Sequence, residues 1–136
     1  MTSKEYIEYD RLTYEMELHF IALTPTFMGY CEDIIFGNEL PGIKYYCFHF
    51  YNDKYLSHIY QKLTARIERL FKQIDSEQFP DLSHGFANLL IYLKEPIVRE
   101  NDQEYRQLNY DHWREVVIRD EVLIRNGSFR KYINIL

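Results

Sequence analysis

Apolar and polar residues alternate from Arg11 to Leu23. Leu12, Tyr14, Met16, Leu18 and Phe20 fall on one side, and Thr13, Glu15, Glu17 and His19 on the other. Period two is the pattern of a half-buried strand, which predicts a strand over 11–23. A rough helical stripe through Tyr9, Leu12, Met16, Phe20 and Leu23 is the competing reading. Pro25 ends the element either way. After the Pro41-Gly42 turn signal, residues 43–51 read Ile-Lys-Tyr-Tyr-Cys-Phe-His-Phe-Tyr. Their aromatic content predicts a second strand, covered on both faces.

The pattern then changes. Leu56, Ile59, Tyr60, Leu63, Ile67, Leu70, Phe71 and Ile74 recur at three- and four-residue spacing. This predicts an amphipathic helix over 53–75, with Asn52 or Asp53 as its cap. Pro80 follows its end. Ser83 caps a second predicted helix through Leu93, with Phe86, Leu89, Leu90 and Leu93 inward, although Leu90–Leu93 also suits a strand. Asn101 or Asp102 caps a third helical region, whose period is carried by Trp113, Val116, Val117, Asp120, Leu123 and Ile124. Gly127 stands where a helix C-terminal glycine belongs. A final strand is predicted over 129–136. The sum is an α+β fold. A small, mostly antiparallel sheet (11–23, 43–51, 129–136) packs against the long helix and one or two others.

Size and composition bound this picture. The 136 residues suit one domain, 1–136, able to bury a core without metal or disulfide staples. With 46% hydrophobic and 27% charged residues, the chain is globular material. Met1-Thr2-Ser3-Lys4-Glu5 leads into charged and aromatic residues, so no signal peptide is read there. The apolar runs are shorter than a membrane helix needs. The expected compartment is the cytoplasm, with no membrane partner. Cys31 and Cys47 read as reduced, partly buried thiols. The 13 tyrosines either line the edge of the core or form a recognition surface.

The net charge of −5 is unevenly spread. Residues 1–42 carry a net −6, residues 43–74 a net +4, and the remainder −3. His58, Lys62, Arg66 and Arg69 share one stripe of the long predicted helix. That stripe is either a solvated face or a contact for an acidic group. The overall acidity argues against nucleic acid as a direct ligand. Glu8, Asp10, Glu15, Glu17, Glu32 and Asp33, with Tyr30 nearby, offer an acidic and aromatic surface suited to a basic protein.

No catalytic or cofactor motif accompanies this surface. HExxH, GxSxG, GxGxxG and the P-loop pattern are all absent, and no cofactor or metal is expected. Cys47 and His49 would share one face of the predicted strand, too few ligands for a zinc site without recruits from elsewhere. Tyr45, Cys47, His49 and Tyr51 would line one face of a pocket, which keeps a small-ligand-binding α+β domain among the alternatives. The segment Arg106-Gln-Leu-Asn-Tyr-Asp-His112 resembles the Arg-x(4–6)-His signature of the HEPN ribonucleases. The resemblance implies an all-helical fold and a composite site from two protomers, so a homodimer. His112 would act as general acid or base, and Arg106 would stabilise the phosphorane.

The leading expectation is a small acidic protein-binding module of inhibitor or immunity type. It would occlude a basic partner such as a nuclease toxin or a nucleic-acid-handling complex. The alternative enzyme is a metal-independent ribonuclease.

Overall fold

A computed structural model describes residues 1–15, 25–38, 42–54, 56–96 and 110–125. These build six helices: α1 Ser3–Glu15, α2 Pro25–Ile35, α3 Ile43–Asn52, α4 Ser57–Gln73, α5 Pro80–Lys94 and α6 Tyr110–Arg125. No strand occurs among the described residues. The α+β expectation is therefore corrected to an all-helical arrangement. The strand expected over 129–136 lies outside the described residues.

The first misreading has a clear physical source. Strand geometry would put Leu12 and Tyr14 on one face. In α1, Leu12 is 0% exposed and Tyr14 is 82% exposed. The inward positions of α1 are Glu5, Tyr9, Leu12 and Thr13, which is helical spacing. A capping box starts the helix. Glu5 N–H donates to Thr2 Oγ1 at 3.3 Å, and Thr2 N–H donates to Glu5 Oε1 at 3.3 Å. Residues 16–23 lie outside the described set.

The second predicted strand is α3. Gly42 precedes it with φ 87°, a left-handed conformation that favours glycine. Ile43, Tyr46, Cys47 and Phe50 face inward at three- and four-residue spacing. Aromatics also occupy the outer face, as Phe48 and Tyr51, so the apolar period is hidden in the sequence. Aromatic β-propensity is weak against the packing that this stripe allows. On a helix, residues two apart point to opposite sides. Tyr45, Cys47, His49 and Tyr51 thus do not form one pocket face, and Cys47 and His49 do not pair as ligands.

The two central helices follow their sequence signals closely. α4 buries Ile59, Tyr60, Leu63, Ile67 and Leu70. It begins at Ser57, and Asp53 caps the turn ahead of it: Leu56 N–H donates to Asp53 Oδ1 at 2.8 Å. α5 begins before Ser83 because Pro80 suits the first helical turn, where a missing N–H is harmless.

Buried side chains from all six helices form one core, reaching from Tyr9 in α1 to Val117 in α6. α2 and α5 cross closely at Gly85. A Cβ placed there would lie 2.0 Å from the Ile35 carbonyl oxygen. Tyr60 OH donates to Leu93 O at 3.1 Å, and Lys94 pairs with Glu68 at 2.8 Å, which tie α4 to α5. No helix among the described residues is long and apolar enough to cross a membrane.

One buried carboxylate links the first helix to the fifth. Glu5 Oε1 serves the α1 capping box, while Oε2 accepts the Leu82 N–H at 2.7 Å. Burial raises the Glu5 pKa. Hydrogen bonds from Leu82, Thr2 and Asp81 outweigh that and hold it below the ordinary carboxylate value.

Candidate functional site

The acidic residues of the first third separate into distinct roles. Asp10 is exposed and Glu8 half-buried on α1. Glu8 accepts from Arg11 Nε at 3.0 Å. Glu15 is the last residue of α1, and Glu17 lies outside the described residues. Glu32 and Asp33 are half-buried on α2. Glu32 serves the core, since Tyr9 OH donates to its Oε1 at 2.8 Å and so joins α1 to α2. Burial first, then the Glu32 hydrogen bond and charge, drive the Tyr9 phenol far above its ordinary value. Tyr30 packs edge-on against Tyr46, with ring centroids 5.1 Å apart. Burial, then the Asp120 charge, raises its pKa.

What α1 shows to solvent is different. Ile7 is 70% exposed and Tyr14 is 82% exposed, seven residues apart. Seven residues are close to two helical turns, so the two side chains share a stripe, with Asp10 and Arg11 between them. Tyr6 is also exposed, and its ring leans on Phe36 with centroids 5.0 Å apart. Two large apolar side chains left in water on an acid-rich helix stand out among the described residues of the first third.

A second polar assembly lies between α3 and α6. Tyr46 OH donates to Asp120 Oδ2, and Asp120 is 0% exposed. One turn further along α3, His49 Nε2 stands 3.4 Å from Glu121 Oε2. Asp53, the residue that closes α3, completes a group of three donor atoms, all within 4.8 Å of one another. The Tyr46–Asp120 and His49–Glu121 pairings join residues more than 70 positions apart, which no local pattern announces.

Nucleophilic chemistry at the cysteines is disfavoured. Cys31 and Cys47 are free and buried. Burial first, then Cys47 and Glu32, pushes the Cys31 thiol well above its ordinary value, so it stays protonated at neutral pH. In the HEPN-like segment, Arg106 lies outside the described residues, and His112 stands in the first turn of α6. The basic stripe is present on α4: His58, Lys62 and Arg69 are exposed and Arg66 is half-buried.

Two surface clefts are formed by described residues. One, of about 460 Å³, lies between the end of α2 and the start of α5 and is lined by Asp81, His84 and Asn88. The other, of about 260 Å³, is lined by Tyr51, Tyr60, Thr64 and Lys94. Neither contains Cys47 or His49.

Among the described residues, fold and surface together define an all-helical, acid-rich arrangement with an exposed aromatic–aliphatic stripe. No protein-family model, curated protein or solved structure matches the chain.

Proposed function

We propose that this chain is a non-catalytic protein-binding module of inhibitor or immunity type, which occludes a basic partner through the outward face of α1. The observation that carries the reading is the exposed stripe of Ile7, Asp10 and Tyr14. It lies in a segment whose net charge is −6. A rigid aromatic anchor supplies contact area at low entropic cost, and acidic neighbours steer a basic partner toward it. A nuclease toxin or a nucleic-acid-handling complex has the required charge. Glu8 and Asp33 add to the field around the stripe. Glu32 supports it from beneath, through its contact with Tyr9.

The test is capture of the partner from the source cell, followed by binding kinetics of the purified pair. Asp10→Lys should slow association at low salt by about tenfold, and Tyr14→Ala should speed dissociation. Kinetics unchanged by both substitutions would remove the reading.

A second reading has one observation in its favour. The described residues form helices and no strand, which agrees with the architecture that the HEPN resemblance implies. In that case His112→Ala abolishes a metal-independent RNA cleavage that the wild-type chain performs. A wild-type chain without cleavage ends this alternative.

A further inference from the structure

We infer that His49, Asp53 and Glu121 form a binding site for one divalent first-row transition-metal ion of the zinc class. The inference is independent of the α1 surface. His49 and Asp53 are four residues apart at the end of α3, so helical geometry sets them on one face. Glu121 arrives from α6. The three donor atoms lie within 4.8 Å of one another. The His49 Nε2 to Glu121 Oε2 separation is 3.4 Å. Tetrahedral zinc, with N and O ligands near 2.0–2.2 Å, holds its donors about 3.3–3.6 Å apart. The pair thus stands at ligand spacing.

A second observation points inward. His49 Nε2 has no solvent access and makes no hydrogen bond among the described residues. A nitrogen removed from water and aimed at two carboxylates is the preferred first ligand of such an ion. The mixed N/O set suits zinc-class ions over calcium, which takes six to eight oxygens. All three residues are half-buried, which leaves the outer coordination positions to water. The ion would clamp the end of α3 to α6.

The experiment uses the full chain, stripped with a chelator and titrated calorimetrically with Zn²⁺, with Co²⁺ as a spectroscopic probe. Expected are one ion per chain, a micromolar or tighter Kd, and a visible Co²⁺ ligand-field band. The melting temperature should rise by about 5–10 °C at a hundredfold excess over Kd. His49→Gln and Glu121→Gln should each weaken binding at least about tenfold and flatten the Co²⁺ band. Asp53→Asn keeps an oxygen for the Leu56 cap, and carries the test if either other variant loses helical circular dichroism. The inference is overturned if Zn²⁺ does not bind at about 100 µM. It is equally overturned if the folded variants bind as wild type does.

Discussion

Replacing Glu5 by alanine should destabilise the chain far more than a helix-surface substitution would. Glu5 is 3% exposed and serves two helix starts. Its loss removes a charge-assisted 2.7 Å bond to the Leu82 amide and leaves that amide without its cap. Such bonds contribute about 1.5–3 kcal/mol. The α1 capping box loses its reciprocal half as well, a further ~0.5–1 kcal/mol. The expected total is about 2–4 kcal/mol, or about 6–16 °C in Tm for a chain of this size. Urea unfolding at pH 7, followed by circular dichroism, measures it. The pH dependence adds an independent check. The Glu5 pKa is lower in the folded state than its ordinary value of 4.5. Its contribution is therefore complete above about pH 4.5 and is lost as pH falls through the folded value. Glu5→Gln cannot titrate, so the stability gap between wild type and Glu5→Gln should shrink on acidification. A Glu5→Ala change below about 0.5 kcal/mol at pH 7 refutes the reasoning. So does a gap that stays constant from pH 7 to pH 3.

Other outcomes follow from single contacts. Gly85→Ala should lower stability by about 2 kcal/mol or more in urea, despite alanine's better helix propensity, because its Cβ meets the Ile35 carbonyl at 2.0 Å. Neutral or raised stability would mean that α2 and α5 can separate freely. Tyr46→Phe removes a donor from the fully buried Asp120 and should cost about 1–3 kcal/mol, read as a lower urea midpoint. Cys31 and Cys47 should resist a thiol reagent in the native chain and react fully in denaturant. Rapid native labelling of either would contradict their burial.

The helical core is legible in the sequence where one face alone is apolar. α4 carries its stripe from Ile59 to Leu70 with basic residues opposite, and its period stands out. α3 defeats the same method because Phe48 and Tyr51 make its outer face as aromatic as its inner one. In α1 an accidental alternation of apolar and polar side chains mimics the start of a strand. The local signal that contradicts it is Thr2-Ser3-Lys4-Glu5, whose spacing is that of a capping box. The acidic surface is half legible. Charge can be counted along the chain, but Glu32 spends its carboxylate on Tyr9, and only the fold shows that. The His49, Asp53 and Glu121 group is invisible in advance, since nothing in sequence predicts which turn of α6 meets the end of α3.

The manner in which α6 is held has a consequence for motion. Among the described residues, its buried side chains are Val116, Val117 and Asp120, while Ile118, Val122 and Leu123 face water. Its main neighbour among the described helices is α3, met through the Tyr46–Asp120 and His49–Glu121 pairs. Among the described side chains, Val116 and Val117 supply the buried apolar area that is released when such a helix lifts away. Amides of α6 should therefore exchange with solvent through a sub-global opening of small denaturant dependence, while those of α4 and α5 wait for global unfolding. The seam between α3 and α6 is the surface that parts in that opening.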